Sequence, residues 1–457
     1  MKNEKFEQFK ESVNGKKITV IGIGISNLPL INLLCENGAN VTACDRKSED
    51  ALGEIAVKLK IRGVKLFLGE KYLENLSGDI IFKTPGMRFD APELVRARED
   101  GKLVTSEMEV FFDVCPAKII AVTGSDGKTT TTTLISKILT ESGYKCHLGG
   151  NIGKPLLCES DNISANDIVV LELSSFQLHT MKKSADVAVI TNISPNHLDM
   201  HKSYEEYIEA KKNIYLHQNK DGILVVNREN EKSYECAKTA NGSVRSFGYD
   251  KDCSVYAYDG EIFAFGEKIM NTSDIKIPGE HNVQNYMAAI AATYPLAKKE
   301  AVLSVAKSFG GVEHRIEFVR ELDGVSYYNS SIDSSPNRTI NTLKVFDKVI
   351  LIAGGKDKGI KYDDLGESLA TKTKHIVLIG KTGPVIKKSL DDYVKKTGIG
   401  GDIKVEFCTN YEEAVACARK AAVSGDVVLL SNASTSFDMF NNFEERGNLF
   451  KKIVNSL

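Results

Sequence analysis

Short apolar runs alternate with helix-length amphipathic stretches along nearly the whole chain, and that order leaves few folds open. "KITVIGIG" (Lys17 to Gly24), "ANVTACD" (Ala39 to Asp45), "DIIFKTPG" (Asp79 to Gly86) and "KLVTSEME" (Lys102 to Glu109) read as strands or strand ends. Strands that alternate with helices build parallel sheets. A second series runs through "AKIIAVTG" (Ala117 to Gly124), "NDIVVLELSS" (Asn166 to Ser175), "ADVAVITNIS" (Ala185 to Ser194) and "DGILVVN" (Asp221 to Asn227). "CSVYAYDGEIFAFGE" (Cys253 to Glu267) then places Asp-Gly between alternating residues, a hairpin signal. A third series has "DKVILIAGG" (Asp347 to Gly355), "KHIVLIG" (Lys374 to Gly380), "IKVEFC" (Ile403 to Cys408) and "GDVVLLSNAS" (Gly425 to Ser434). These patterns predict an α/β protein of three separately wound, mainly parallel sheets rather than one barrel. The boundaries fall near residues 106 and 311, giving domains 1–106, 107–311 and 312–457. A chain of 457 residues has room for about three domains.

Composition narrows the function. The 59 basic and 61 acidic residues nearly cancel, so no basic excess points to nucleic acid. Nine scattered cysteines without a CxxC pair suggest neither a disulfide framework nor a zinc site. Dispersed thiols fit a reducing cytosol, and a cytoplasmic location is expected. The start, "MKNEKFEQFKESVNGKK", reads as neither a signal peptide nor an anchor. No apolar run reaches the ~18 residues that span a bilayer, so no membrane insertion is expected.

The chemistry concentrates in "AVTGSDGKTTTTTLISKIL" (Ala121 to Leu139). An apolar strand, a glycine turn and Lys-Thr entering a helix make a sensible phosphate cradle. Gly124 and Gly127 let backbone N–H groups converge, and the helix N-terminus adds partial positive charge. Lys128 would neutralise β/γ-phosphate charge and Thr129 would ligate Mg²⁺. The common GxxxxGK[ST] spacing needs glycine at Val122, so the loop is one of shorter build, or else a plain βα turn with solvent-facing Lys128 and Thr129. Glu172, ending the apolar strand of "LELSSFQL", should lie beside the loop strand and suits a magnesium contact or a water-positioning role. His197 and Asp199 follow the next strand, and a helix carrying Lys211 comes after them. Ligands bind beyond strand C-termini in such sheets, so these positions converge.

The segments "TGSDGKTT", "GGNIGKP", "LELSSFQL", "TNISPNHLD…EAKKNIY", "GEHNVQNYMAA" and "GGVEHRIEFV" together resemble the Mur ligase family of ATP-dependent amide-forming enzymes. That family uses TGxxGK[ST], in which Val122 is no departure. The resemblance implies a Rossmann-like first domain that binds a UDP-sugar, a P-loop ATPase-like central domain, and a Rossmann-like third domain for the amino acid. "LELSSFQL" and "SFDMFNNFEERGNLF" point to the branch that joins D-glutamate to UDP-N-acetylmuramoyl-L-alanine in peptidoglycan synthesis. ATP would first phosphorylate the substrate carboxylate, and the amine would then attack the acyl phosphate. Phosphoryl transfer is chiefly positioning and charge neutralisation.

By that resemblance Gly124, Ser125, Asp126, Gly127, Lys128, Thr129 and Thr130 hold ATP, Asn282 contacts adenine, and Arg315 is a cationic nucleotide contact. Thr129, Glu172, His197 and Lys211 surround the magnesium, two ions being expected. Lys211 matches the lysine that relatives carry as a carbamate, with Lys128, His197 and Lys211 the catalytic group. On residue type alone Lys211 would sit on a solvated helix face. Asn151, Ser174 and Gln177 resemble contacts to the acyl substrate.

"GIGISNLP" after the first strand matches a dinucleotide fingerprint only in part, since GxGxxG needs glycine at Asn27. The resemblance gives the loop to the UDP-sugar: Gly24, Ser26 and Asn27 near the diphosphate, Asp45 and Arg46 near uridine, with Pro85 and Gly86 on the same rim. In the third domain Lys358, Ser436, Phe437 and Phe443 match amino-acid contacts. One departure stands out. Where the family pattern is roughly NDSKAT, this chain has Ser330 and Ile332 in place of the acid and the lysine, with Asp333 one residue further on. Rival readings are a sister ligase or a folylpolyglutamate synthase-like enzyme, an NAD-dependent dehydrogenase, and a nucleotide-dependent binding switch. A monomer with small-molecule substrates is expected.

Overall fold

The computed structural model describes residues 3–24, 27–74, 76–196, 200–357 and 359–457. The chain forms two compact units, Met1–Ile275 with Glu280–Lys307, and Lys276–Gly279 with Ser308–Leu457.

The first unit holds two sheets. Strands β1 (Lys17–Ile21), β2 (Asn40–Asp45), β3 (Lys65–Leu68), β4 (Ile80–Phe82) and β5 (Leu103–Thr105) lie in the order β3-β2-β1-β4-β5, all parallel. The larger sheet comprises β6 (Lys118–Thr123), β7 (Cys146–Gly150), β8 (Ile168–Glu172), β9 (Val187–Ile190), β10 (Ile223–Asn227), β11 (Ser243–Gly248), β12 (Val255–Tyr258), β13 (Glu261–Ala264) and β14 (Glu267–Asn271). Its order is β14-β13-β12-β11-β10-β9-β6-β8-β7, parallel from β7 through β12 and antiparallel at β13 and β14. The chain leaves β6 for β7 and β8 on one side and reaches β9 and β10 on the other. The C-terminal end of β6 is therefore a switch point, where open α/β sheets leave a crevice.

The helix Lys128–Glu141 leaves that point and buries Leu134, Ile135, Ile138 and Leu139. Its threonine run is a weak helix former. Thr132 and Thr133 hydroxyls bond back to the carbonyls of Lys128 and Thr129 at 2.8 and 2.7 Å. Packing against the helix Glu280–Thr293 adds tertiary support.

The second unit carries β15 (Glu317–Leu322), β16 (Val325–Asn329), β17 (Val349–Gly354), β18 (Thr373–Ile379), β19 (Lys404–Cys408) and β20 (Val427–Leu430). They lie in the order β15-β16-β20-β17-β18-β19, parallel but for the hairpin β15–β16. Two Asp-Gly pairs turn hairpins with both residues at positive φ: Asp259 and Gly260 at 49° and 74°, and Asp323 and Gly324 at 55° and 76°.

"KLVTSEME" is strand only to Thr105. Ser106 caps a helix, Glu107–Val114, its hydroxyl accepting from the Glu109 amide at 3.3 Å, so the S-x-x-E signature prevails over strand pattern. Glu107 is buried and accepts the Leu157 amide at 2.9 Å. Burial pushes its carboxyl up to about 7, against the pull of that N–H. The folded state thus holds the proton more tightly than the unfolded chain. Its contribution is full below the unfolded carboxylate value and is lost as pH rises to about 7. Glu107→Gln should flatten this slope: the stability of wild type minus variant, from urea midpoints, should fall between pH 4.5 and 7. A difference that stays level across this range would contradict the burial effect.

Candidate active site

At the end of β6 the chain enters a loop that the sheet and its neighbours force shut. Gly124 has φ 153°, and a Cβ there would sit 1.9 Å from Thr191 Oγ1. Gly127 has φ 76°, and its Cβ would meet Asn285 Oδ1 at 2.4 Å. The helix that begins at Lys128 follows Gly127, which has no side chain to cap it, and a helix N-terminus of this kind suits an anion. The loop is braced from the strand beyond. The Ser125 amide donates to Asn192 O at 2.9 Å, and the Asp126 amide to Asn192 Oδ1 at 2.9 Å. Thr191 Oγ1 donates to Asp126 O at 2.6 Å. Ser125 Oγ donates to Ser194 O at 2.9 Å and lies 3.0 Å from the Tyr207 hydroxyl. Thr129 is buried and Thr130 half-buried. Asn285 joins "GEHNVQN" to the helix: its Nδ2 donates to Asn282 Oδ1 at 3.0 Å, and its Oδ1 accepts from Thr131 Oγ1 at 3.2 Å.

Two lysines meet on this loop. Lys128 Nζ folds back to donate to Gly124 O and Ser125 O, both at 2.9 Å. Lys211, on the helix Tyr204–Lys212, is 1% exposed. Its Nζ donates to the same Gly124 O at 2.8 Å and to Thr123 Oγ1 at 3.4 Å, over the Tyr207 ring at 4.5 Å. Burial, reinforced by the charge of Lys128, holds the Lys211 amine well below the usual lysine range, while Asp126 and Glu172 pull the other way. The solvated position open to Lys211 on residue type alone is excluded by that burial.

Glu172 pairs in register with Val122 at the end of β8, beside the loop strand. It is 2% exposed. Its Oε1 accepts from Asn151 Nδ2 at 2.8 Å, and its buried Oε2 has no hydrogen-bond partner. A buried carboxylate oxygen with an open lone pair is suited to a cation. Among the described residues no group of three or more His, Cys, Asp or Glu is assembled. His197 and Asp199 lie outside the described residues.

Other expected contacts have local structural work. Ser174 and Gln177 form a capping box on the helix Ser175–Leu178. Asp45 accepts the Ile23 amide at 2.6 Å and the Lys47 amide at 2.8 Å, which shapes the turn after β1. Asn27 is buried at the start of the helix Asn27–Glu36. Its Nδ2 donates to Ile21 O at 2.8 Å, and its Oδ1 has no partner. Gly24 and Arg46 are exposed, and Ser26 lies outside the described residues.

In the second unit Ser436 is buried, Phe437 is exposed, and Phe443 opens the helix Phe443–Ser456. Phe443 O accepts from Ser331 Oγ at 2.8 Å. Arg315 is half-buried in a turn closed by its amide on Val312 O at 2.9 Å. Lys358 lies outside the described residues. Ser330 and Ile332 supply neither acid nor cation, and Asp333 is buried, accepting from Thr342 Oγ1 at 2.7 Å and Ser431 Oγ at 2.8 Å. Burial raises its carboxyl pKa. Arg446, fully buried, donates to Ser331 Oγ, Ser331 O and Ser434 O at 2.9, 2.6 and 3.0 Å, and so ties this loop to the one after β20.

A glycine loop that enters a helix at a sheet switch point, with two lysines and an open carboxylate oxygen, suits an enzyme that handles nucleotide phosphate. Residues 122–293 match the Mur ligase middle domain and residues 314–433 the Mur ligase glutamate ligase domain. The chain belongs to the Mur ligase family, ATP-dependent enzymes that form amide bonds. It is 54% identical to a UDP-N-acetylmuramoylalanine–D-glutamate ligase of Acetivibrio thermocellus, over 100% of this chain and 99% of that one. It is also 54% identical to the enzyme of that name from Ruminiclostridium cellulolyticum, over 100% of each. In fold it is similar to UDP-N-acetylmuramate–alanine ligase from Thermotoga maritima, with TM-score 0.57 at 22% identity, covering 96% of this chain and 99% of that one.

Gly124→Ala tests the loop geometry. It should weaken binding of a non-hydrolysable ATP analogue at least about tenfold by calorimetry, ~1.4 kcal/mol. Unchanged affinity would mean the loop does not need its close approach to Thr191.

Proposed function

We propose that this chain joins D-glutamate to UDP-N-acetylmuramoyl-L-alanine at the expense of ATP, through an acyl phosphate, in peptidoglycan synthesis. The full-length likeness to ligases of that name supports the substrates. The geometric support is a single feature: Lys128 and Lys211 both donate to Gly124 O, at 2.9 and 2.8 Å. The Lys128 ammonium on that carbonyl carries positive charge that an arriving triphosphate offsets.

The chain's own groups then have distinct tasks. Amides from Gly127 through Thr130 receive the phosphates, with Gly124, Ser125 and Asp126 holding the loop shape. Lys128 swings from the loop carbonyls to the β/γ-phosphates. Magnesium, when bound, would neutralise phosphate oxygens, held by Thr129 and Glu172 with His197 and a carbamylated Lys211. The depressed Lys211 amine suits that modification, because the neutral amine attacks CO₂ and releases a proton, leaving an anion. Asn151, Ser174 and Gln177 face the acyl substrate, and Asn282 the adenine. In residues 1–106, Gly24, Ser26, Asn27, Asp45 and Arg46 bind the UDP-sugar. Residues 107–311 bind ATP. Residues 312–457 take the amino acid through Lys358, Ser436, Phe437 and Phe443, with Arg315 directed to the nucleotide. The enzyme acts in the cytoplasm.

Phosphate release from ATP should require both the UDP-sugar and D-glutamate in a panel of D- and L-amino acids. Equal release with L-amino acids, or with no acceptor, would overturn the assignment. Lys128→Ala should cost about 100-fold or more in kcat; near-wild-type turnover would remove it from the phosphate site. Lys211→Ala should be inactive and regain turnover with added acetate or formate, which stand in for the carbamate. Failure of every short carboxylate to restore turnover would count against the modification.

A further inference from the structure

Arg88 lies beyond β4, in the loop that contains Pro85 and Gly86; Asp90 is in the same loop, whereas Glu206 and Met200 belong to the part of the same unit built on the larger sheet. Its guanidinium spans two carboxylates. Nε and Nη2 donate to Asp90 at 2.7 and 3.0 Å, while Nη2 and Nη1 donate to Glu206 at 3.0 and 3.2 Å. Nη1 also donates to the carbonyl of Met200. The Lys202 ammonium approaches Asp90 to 2.5 Å, and its backbone amide donates to Glu206 Oε2 at 2.6 Å. Arg88 and Glu206 side chains are only 26% and 19% exposed.

Glu206 sits in the first turn of the helix Tyr204–Lys212. Its other neighbours are imidazoles: His201 Nδ1 at 3.6 Å and His179 Nε2 at 3.8 Å. His201 Nε2 is 2.9 Å from Ser175 Oγ, and its ring lies 5.2 Å from both Phe176 and Tyr207. The same helix carries Tyr207, whose hydroxyl meets Ser125, and Lys211, whose amine meets Gly124 O. Met200 directly follows the segment that contains His197. One side chain from the loop after β4 therefore holds the start of the Lys211 helix, through Glu206, and the carbonyl of Met200.

An ion pair of this kind is weak evidence for stability, because desolvation offsets much of the Coulomb gain. Its planar two-pronged geometry does fix orientation. We propose that Arg88 is a positioning residue for the ligase reaction: through Glu206 and Met200 it couples the loop after β4 to the placement of Tyr207 and Lys211. The inference rests on the ligase reading above, in which that loop rims the UDP-sugar. Arg88 touches no reacting atom. It acts by setting where the Lys211 helix begins.

The test compares wild type, Arg88→Ala, Arg88→Lys, Glu206→Ala and the Ala/Ala double variant, each as the full chain. Steady-state constants for ATP, UDP-sugar and D-glutamate are read together with hydrogen exchange of peptides covering residues 200–212. Arg88→Ala should lower kcat about tenfold to 100-fold, as expected of sub-ångström misplacement, with KM for ATP within about twofold. The double variant should be no slower than the slower single variant, since both remove the same link. Exchange across 200–212 should rise in Arg88→Ala. Arg88→Lys keeps the charge without the fork and should recover only part of kcat. Wild-type kcat in Arg88→Ala, or fully additive losses in the double variant, would overturn the proposal. If Arg88→Ala does not fold, Arg88→Lys decides: wild-type kcat and exchange in that variant would overturn it. Wild-type turnover alone judges the ligase reading, whereas the ratio to wild type and the exchange data judge Arg88.

Discussion

Two lysine amines share one backbone oxygen at the centre of this protein, and the surrounding structure is arranged to make that possible. Gly124 O can receive Lys128 and Lys211 together only because β6 ends where the larger sheet reverses its order. There the chain turns away through a glycine pressed against Thr191, and the helix after Gly127 starts without a side-chain cap. A helix N-terminus and the Lys128 ammonium are thus concentrated at one point. The buried, open oxygen of Glu172 adds the opposite demand a few ångströms of strand away, on the neighbouring β8. A site with both demands suits a metal-bound polyanion better than either ion alone.

Lys211 shows how burial changes the charge preference of an ordinary residue type. Desolvation disfavours its ammonium form, and Lys128 adds repulsion. The Tyr207 ring and Thr123 hydroxyl hold the amine in place. The helix that presents it is anchored at its N-terminal end by Glu206, and Glu206 in turn by an arginine from the first sheet. The position of this amine is thereby set by a part of the chain more than a hundred residues earlier, a separation of 118 between Arg88 and Glu206.

Much of this was legible in the sequence because it is local. The strands that flank the phosphate loop are long apolar runs, and the loop's glycines, Lys128 and Thr129 stand at fixed offsets. Glu172 could be placed beside the loop because it ends the next long apolar run. Strands that are only partly buried or poor in apolar residues were not legible. β3 is four residues with only partial burial, and "CHLGG" in β7 has little apolar content. Residues whose work depends on tertiary contact were also hidden. Tyr207 and Asn285 stood inside the quoted motifs, but nothing local says that one braces Ser125 and the other Gly127. Asn285 lies three residues after Asn282, one helical turn on, which is the signal that could have found it. Arg446 likewise looked like one charge among several in "FEERGN", yet it is fully buried. Asp45, Ser174 and Gln177 illustrate the converse, since residues expected at ligands also cap and shape their own turns.

The central claim is that the triphosphate is received by the amides after Gly127, with Lys128 turning from Gly124 O to meet it. A crystal structure with a non-hydrolysable ATP analogue and magnesium tests this most directly. Phosphate oxygens should lie within about 3 Å of the amide nitrogens of Gly127 to Thr130, with Lys128 Nζ moved from the loop carbonyls onto them. An analogue bound elsewhere, with Lys128 still folded onto Gly124 O and Ser125 O, would contradict it.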